Sequence, residues 1–211
     1  MARAVTSAGP DRLGSSVVLA SRNRHKVAEV GRILAERAPG LIVVGLDQVA
    51  PDLPDIAETG TTFVENALIK ARAVASATGL PALADDSGIC VDALNGMPGV
   101  RSARWAGGHG DDVANLELLL AQLDDLPDDR RGAQFVCAAA FVRPDGTELV
   151  AEGVLAGSLA RAPRGTNGFG YDPIFLPVGQ QRTTAEMAPD EKDAISHRGR
   201  AFRALAALLA Q

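Results

Sequence analysis

Apolar residues fall in short blocks along this chain, and the spacing within the blocks predicts strands that alternate with helices. Residues 15–21 and 41–46 are apolar runs with the length of buried strands. Between them, residues 24–37 carry apolar side chains at helical spacing, at Val27, Val30, Ile33 and Leu34. Residues 50–60 are rich in proline and acidic residues and continue neither period, so they predict a loop.

The most clearly marked helix follows this loop. Thr62 and Glu65 stand three residues apart, which is the pattern of a capping box at a helix N-terminus. Apolar residues then recur at helical spacing, at Phe63, Ala67, Ala71 and Val74. Gly79 suits the left-handed conformation in which many helices end, so the pattern predicts a helix between Thr62 and Gly79.

The second half of the chain predicts a strand, a helix, a hairpin and a final helix. Residues 84–94 favour a strand interrupted by acidic residues and a glycine, and residues 95–110 an irregular loop. A helix follows, with an inward face formed by Val113, Leu116, Leu120 and Leu123. Residues 132–160 predict a hairpin that turns at residues 144–146. Ser196 is placed to cap the last helix, whose expected inward residues are Phe202, Leu205, Leu208 and Leu209.

Length and composition indicate one ordinary globular domain. The chain has 211 residues, of which 46% are hydrophobic and 22% charged, enough to bury one substantial core. Residues 1–16 are polar and predict a disordered leader, whereas residues 17–211 predict a single bilobed domain. The longest uncharged stretch, residues 73–84, is broken by glycine and proline and is too short for a membrane helix. We therefore expect no membrane association.

Charge and cysteine content narrow the function classes further. The formal net charge of −5 argues against nucleic-acid binding, because a surface that binds the phosphate backbone needs clustered lysine and arginine. A small anionic ligand is still compatible with this charge where a few cations converge. Cys90 and Cys137 both lie in apolar segments, so they predict buried free thiols and a reducing, cytoplasmic environment.

The polar segment between the first strand and the first helix is a candidate phosphate site. Helix N-terminal amides, the Asn23 side chain and the Lys26 ammonium can all point at one anion here. The segment lacks the glycines of a Walker motif. An ordinary capped helix start with solvated cations is the alternative interpretation.

Asp85 and Asp86 form a candidate metal site, because they end an apolar run and precede Ser87 and Gly88. Side chains alternate along a strand, so we expect only one of the two carboxylates to face a given pocket. Oxygen ligands of this kind suit Mg²⁺ that is shared between protein and phosphate. A solvated acidic turn is the alternative.

Two polar segments near the C-terminus complete the candidate chemistry. Residues 165–175 combine glycines with aromatic residues, so Phe169 or Tyr171 can stack on a flat ligand ring, although core packing explains aromatic residues equally well. Lys192, His197 and Arg198 lie around a helix start, where cations oppose the helix dipole unless an anion or another acceptor is present. Their placement favours a ligand over a solvated surface.

Taken in order, these segments resemble one enzyme family. VVLASRNRHKVAEV, ETGTTFVENALIKARA, ADDSGICVDALNGMPGVRSARWAG, GFGYDPIF and DEKDAISHRGRAF are similar to the successive motifs of the inosine triphosphate pyrophosphatase family, which acts on noncanonical purine nucleoside triphosphates. The resemblance spans nearly the whole chain. It implies a mixed α/β fold, with an elongated mixed sheet, flanking helices and two lobes around a nucleotide cleft. It further implies a homodimer that uses Mg²⁺.

The resemblance also implies roles for individual residues. Ser21, Asn23 and Lys26 match positions that grip the triphosphate. Glu58 and Asp86 match the metal ligands, and Asp86 also matches the proton acceptor. The other substrate-contacting positions correspond to Ser87, Phe169, Gly170, Tyr171, Asp172, Lys192, His197 and Arg198. Arg22 stands where the family usually has glycine, and it is expected to add a cation beside the phosphates.

The implied reaction is hydrolysis of ITP, dITP or XTP to the monophosphate and pyrophosphate, which removes deaminated purines from the nucleotide pool. Arg198 and His197 are the expected donors to the oxygen at purine position 6, because the amino group of adenine would leave these donors unpaired. Two alternatives stay open at this point. One is a pyrophosphatase for modified pyrimidine triphosphates, and the other is a catalytically inactive nucleotide-binding sensor.

Overall fold

A computed structural model describes residues 16–108 and 110–210, and within these ranges six strands form one sheet in the order β2-β1-β3-β4-β5-β6. The strands are β1 Ser16–Leu19, β2 Ile42–Gly45, β3 Ala82–Val91, β4 Gly132–Val142, β5 Glu148–Leu159 and β6 Phe175–Pro177. β1 pairs in parallel with β2 and β3, whereas all pairs from β3 to β6 are antiparallel. The predicted class, a mixed α/β sheet with flanking helices, is confirmed.

The helices lie along this sheet. The α-helices are α1 Arg24–Ala35, α2 Leu46–Val49, α3 Phe63–Thr78, α4 Asp112–Gln122, α5 Pro189–Ile195 and α6 His197–Leu209. Short 3-10 helices are Asp92–Leu94, Gly99–Arg104, Asp128–Arg130, Asp172–Ile174 and Thr184–Glu186. None of the described helices is long and apolar enough to span a bilayer.

The strand register decides which polar segments meet. β1 and β3 are parallel and Leu19 lies beside Leu83, so the segment that follows β1 emerges next to Asp85 and Asp86. The backbone of Leu46 donates to the Ser21 carbonyl at 3.2 Å, which brings the end of β2 to the same place. Because the carboxyl ends of parallel strands lie at one edge, the loops after these strands converge on the two aspartates.

The core has separate parts on the two faces of the sheet and at its distal end. On one face, α1 and α6 pack through Ile33, Phe202 and neighbouring apolar residues. On the other face, alanines of α3 such as Ala67 and Ala71 are fully buried, which lets this helix lie close to the strands. The distal cluster includes Leu119 of α4 and Phe135 of β4. Each large side chain buried here contributes about 1.5–3 kcal/mol of transfer free energy.

The predicted helix caps and the predicted hairpin turn are confirmed, and each is held by hydrogen bonds between residues close in the sequence. The Thr62 side chain accepts from the Glu65 amide and Glu65 completes the capping box, while Gly79 ends α3 at φ 67°. The hairpin of β4 and β5 turns at residues 144–146 as predicted, with the amide of Gly146 donating to the carbonyl of Arg143. Ser196 caps α6 by accepting from the Gly199 amide.

Several predicted details are wrong. β3 is continuous through Asp85 and Asp86, because both residues keep their backbone pairing with β4. The expected irregular loop contains the 3-10 helix Gly99–Arg104, and the short helix α5 was not anticipated. Ser16, which lies both in the predicted leader and in the predicted first strand, is the first residue of β1; residues 1–15 lie outside the described residues. The division into leader and domain stays a prediction.

Two predicted helix faces also need correction. Val113 is 66% exposed, because the buried stripe of α4 runs through Leu116, Leu119 and Leu123 instead. Leu208 is 36% exposed, because α6 contacts the core through Phe202, Leu205 and Leu209. Cys137 is buried as predicted, and burial raises the pKa of its thiol to about 12. Cys90 is only half-buried.

Candidate active site

The segment after β1 is shaped by its own side chains. The Ser21 hydroxyl accepts from the Asn23 amide at 3.1 Å, and the Asn23 carbonyl oxygen Oδ1 accepts from the Lys26 amide at 3.3 Å. The second bond satisfies an amide of the first turn of α1. Lys26 then extends towards β3, where its Nζ lies 3.4 Å from both carboxylate oxygens of Asp85.

Asp85 belongs to a buried charge network that joins three elements. The Nε and Nη2 atoms of Arg198 donate to Asp85 Oδ2 at 3.1 and 3.0 Å, and Nη1 donates to Glu29 Oε2 at 3.0 Å. The Ser87 hydroxyl donates to the same Asp85 oxygen at 3.0 Å. Burial alone would raise the pKa of Asp85, but the charges of Lys26 and Arg198 hold it well below its usual value. Asp85 is therefore a permanent anion that fixes Arg198.

Asp86 faces a different environment, as side-chain alternation predicts. Asn66 Nδ2 donates to Asp86 Oδ2 at 3.0 Å, and Lys70 Nζ lies 3.7 Å from Oδ1. Burial raises the pKa of Asp86 above its usual value, and the nearby charge of Glu58 adds to this effect against the opposing charge of Lys70. A carboxylate with a raised pKa is a better proton acceptor, which suits general-base chemistry.

Glu58 is brought to this site by a tight turn before α3. A Cβ on Gly60 would lie 2.6 Å from the Glu65 Cβ, so only glycine lets the chain approach the helix so closely. Lys70 Nζ donates to Glu58 Oε1 at 2.6 Å and Arg104 Nη1 to Oε2 at 3.2 Å. Although burial raises the pKa of Glu58, these two cations lower it below its usual value.

The glycine-rich segment before β6 is folded around Asp172. A Cβ on Gly168, at φ +78°, would lie 2.1 Å from Asp172 Oδ2. The same oxygen accepts from the Phe169 amide at 2.8 Å and from Lys192 Nζ at 2.6 Å. The Phe169 ring is 40% exposed, with Lys192 Nζ 5.3 Å and Arg198 Cζ 5.6 Å from its centroid. Phe169 is thus held as an open aromatic surface beside two cations.

Tyr171 and His197 are buried at this aromatic end. The Tyr171 hydroxyl donates to the Ser102 carbonyl at 2.9 Å, so Tyr171 acts in core packing and Phe169 is the residue available for stacking. The His197 ring stacks on Phe135 with centroids 4.7 Å apart. Burial and the charges of neighbouring cations lower the pKa of His197 well below its usual value, so the ring is neutral. Its Nδ1 has no hydrogen-bond partner among the described residues.

Two adjoining cavities collect these side chains. The aromatic cavity, about 430 Å³, extends from Phe169, His197 and Arg198 to Asp86 and Glu58. The arginine cavity, about 500 Å³, is lined by Arg22, Arg101 and Arg104 together with Asp55 and Asp85. Both cavities include Ser21, Lys26, Glu58 and Lys70. The shared residues make one continuous cleft with an aromatic end and a cationic end.

Comparison with known proteins assigns the family. The sequence profile of the Ham1 family matches residues 17–208. This chain belongs to the Ham1 family. The dITP/XTP pyrophosphatase of Streptomyces coelicolor is 61% identical over 189 residues, which are 90% of this chain and 94% of that protein.

Solved structures agree with this assignment. The crystal structure of a nucleoside-triphosphatase, also described as a dITP/XTP pyrophosphatase, from Mycobacterium abscessus is 58% identical with a TM-score of 0.73, and it covers 93% of this chain and 100% of that one. The Staphylococcus aureus Ham1 protein is 42% identical with a TM-score of 0.82, covering 92% and 98%. The family resemblance inferred from the motifs is confirmed.

In this Ham1-family protein, all the candidate site residues taken from the sequence except Arg22 and Asp85 line the aromatic cavity, and Asp85 lines the arginine cavity instead. Arg22 lines the arginine cavity, where it donates to Asp55 Oδ1 at 2.9 Å and to the Leu53 carbonyl. The acceptors expected for Lys192 and Arg198 are carboxylates of the protein itself, Asp172 for Lys192 and the pair Asp85 and Glu29 for Arg198.

Sequence reasoning missed several residues of the cleft. Asn66 and Lys70 are polar residues four apart on a helix that is otherwise rich in buried alanine, and this spacing is a signal that the sequence contains. Arg101 and Arg104 were missed because their segment was expected to be irregular. No pattern in the sequence marks Glu29, because its partner Arg198 is brought to it only by the packing of α6 against α1.

The donor set fits the expected magnesium ion. Glu58 and Asp86 come from different segments, but Lys70 Nζ lies 2.6 Å from Glu58 Oε1 and 3.7 Å from Asp86 Oδ1, so the two carboxylates lie close to each other. No group of three or more His, Cys, Asp and Glu in the described ranges is arranged to hold a metal by itself. Mg²⁺ commonly takes only one or two protein carboxylates and completes its shell with phosphate oxygens and water. Glu58 and Asp86, which both line the cleft, supply this number of carboxylates.

Proposed function

We propose that this protein is a nucleoside triphosphate pyrophosphatase that hydrolyses ITP, dITP and XTP to the nucleoside monophosphate and pyrophosphate. The observation that carries the proposal is the continuous cleft, with an open aromatic ring at one end and converging carboxylates and cations at the other. Its relatives that are named dITP/XTP pyrophosphatases match over most of the chain. The aromatic and cationic ends of the cleft suit a purine base joined to a triphosphate.

The aromatic end binds the base. Phe169 offers its exposed ring for stacking, and the cations beside it strengthen the electrostatic contact with a polar base. A guanidinium carries more N–H donors than the three that Arg198 uses on Asp85 and Glu29, so donors remain for the oxygen at position 6. The neutral His197 ring adds a further polar group at this end of the cavity. Adenine, with an amino group at position 6, would leave these donors unpaired.

The carboxylate end performs the hydrolysis. Asp86 accepts a proton from water, the water oxygen bonds to the α-phosphorus, and the bond from the α-phosphorus to the bridging oxygen breaks. That oxygen leaves with the pyrophosphate. Lys26 and Lys70 offset the negative charge that builds on the phosphates. A magnesium ion held by Glu58 and Asp86 would supply further charge neutralisation.

A pyrophosphate-release assay tests the proposal. Purified protein is given dITP, ITP, XTP, ATP, GTP, dUTP or TTP, each with Mg²⁺ and again with EDTA. We expect rapid release from the first three, little from ATP, dUTP or TTP, and none without Mg²⁺. Preference for dUTP or another pyrimidine would favour the pyrimidine alternative, and tight binding of ITP without release would favour the sensor.

Mg²⁺ dependence, a homodimer and a cytoplasmic location are further parts of this proposal. The two converging carboxylates support the first, the resemblance to the inosine triphosphate pyrophosphatase family supports the first two, and the apolar segments around Cys90 and Cys137 support the third. Light scattering coupled to size-exclusion chromatography measures the mass in solution. A mass of one 21.8 kDa chain would contradict the homodimer.

A further inference from the structure

The arginine cavity contains charged groups that binding of a nucleoside monophosphate does not use. We propose that this cavity is a separate binding site for inorganic pyrophosphate, with Arg101 and Arg104 as its principal ligands. The inference rests on the proposed function, because the pyrophosphate is the leaving group of that reaction. It assigns the two arginines to product binding.

The 3-10 helix Gly99–Arg104 aims both arginines the same way. Three residues complete one turn of such a helix, so side chains at positions 101 and 104 lie on one face. Both line the arginine cavity, whereas Ser102 between them lines the aromatic cavity. The helix therefore presents its arginines to one cavity and its small residues to the other.

This helix is held tightly against β3. The Ser102 hydroxyl donates to the Gly99 carbonyl at 2.6 Å and accepts from the Ile89 amide at 2.9 Å. A Cβ on Gly88 would lie 2.4 Å from the Gly99 carbonyl oxygen, so a side chain there would push the helix away. Gly88 follows the pair Asp86 and Ser87, which places the arginines next to the reacting end of the cleft.

The charge balance of the cavity favours a polyanion. In the described part of the chain, its lining has five cationic side chains, Arg22, Lys26, Lys70, Arg101 and Arg104, against three carboxylates, Asp55, Glu58 and Asp85. Each carboxylate already has a cationic partner within 3.4 Å. The Arg101 guanidinium has no polar partner among the described residues and is exposed. An arginine that is free beside other cations is available for bidentate contact with phosphate oxygens.

Continuity with the aromatic cavity identifies the occupant. A nucleotide with its base on Phe169 and its α-phosphate beside Asp86 directs the β- and γ-phosphates past Lys26 and Lys70, which line both cavities. Cleavage of the α–β bond then leaves the monophosphate in the aromatic cavity and the pyrophosphate in the arginine cavity. The two products thus occupy different sites and bind at the same time.

Calorimetric titration with the two products tests whether they bind at different sites, and it needs no hydrolysis. Inorganic pyrophosphate and IMP are titrated, each alone and each in the presence of the other, into wild type, Arg101→Ala and the control Arg37→Ala, with Mg²⁺ throughout. Arg37 is exposed and lies outside both cavities. Arg101 is the cleaner target, because Arg104 also holds Glu58. Thermal denaturation confirms that each variant is folded.

We expect Arg101→Ala to weaken pyrophosphate binding about tenfold or more, the loss of a charge-assisted contact, and to leave IMP binding unchanged. Arg37→Ala should match wild type in both titrations. Equal pyrophosphate affinity in wild type and Arg101→Ala, or exclusion of IMP by pyrophosphate, would overturn the proposal. The nucleotide panel tests the enzyme function separately, so failed hydrolysis with intact, Arg101-dependent pyrophosphate binding would refute only the proposed function.

Discussion

Replacing Arg198 by methionine should destabilise the fold strongly, because it removes the cation from a buried network while roughly keeping the side-chain volume. The side chains of Arg198 and Asp85 are each 2% exposed, and that of Glu29 is 9% exposed. Glu29 Oε1 already lacks a hydrogen-bond partner among the described residues. Without Arg198, Glu29 would keep a buried charge with no cation in contact with it among the described residues.

The expected magnitude follows from these contacts. Removing one partner of a buried ion pair costs ~3–5 kcal/mol. Asp85 keeps Lys26 at 3.4 Å, so we expect a value in the lower half of that range, about 3–4 kcal/mol. For a chain of this length each kcal/mol lowers Tm by roughly 2–4 °C, so the variant should melt about 6–16 °C below wild type.

Thermal denaturation followed by circular dichroism measures this difference in Tm, and Arg72→Met is the matched control. Arg72 also makes a two-bond contact with a carboxylate, at 2.6 and 2.7 Å to Glu148, but its side chain is 54% exposed. An exposed pair is worth ~1 kcal/mol or less, so the control should melt within about 4 °C of wild type. If the Tm of Arg198→Met lay as close to wild type as that of the control, the buried ion pairs of Arg198 would not contribute more to stability than an exposed pair does.

Three further predictions concern the cleft. Asp86→Asn should lower kcat by ~10²-fold or more with little change in Tm, because the amide keeps the shape but cannot accept the proton; near wild-type turnover would remove Asp86 as the base. Lys26→Ala should raise KM for ITP and ATP by the same factor in steady-state assays, because a cation at the phosphate end does not distinguish bases; unequal factors would place Lys26 at the base end. The depressed pKa of His197 predicts that wild type loses stability as pH falls below about 6.5, since the unfolded chain takes up the proton first. Urea denaturation at pH 7.5 and 5.0 should show a greater loss of stability in wild type than in His197→Gln, and equal losses would contradict a neutral buried ring.

The features that sequence alone determined are those whose interactions are local. The capping box at Thr62 and Glu65 and the left-handed Gly79 each depend on atoms within a few residues, so the bounds of α3 could be predicted closely. The order of apolar blocks likewise indicated strands that alternate with helices, whereas the mixed sheet was implied by the family resemblance. The motifs placed almost all the candidate residues of the aromatic cavity, because a family resemblance transfers positions in the chain.

What only the tertiary structure decided is how charges and rings are paired. Arg198 meets Asp85 across 113 residues and Glu29 across 169, and nothing near Arg198 in the sequence distinguishes this network from a cation exposed in the cleft. Phe169 and Tyr171 are two residues apart and both line the aromatic cavity, yet Phe169 is 40% exposed and Tyr171 only 5%, because the Tyr171 hydroxyl is bound to the Ser102 carbonyl. These outcomes depend on which elements approach each other, since burial makes an unpaired charge or polar group costly and so selects its partner.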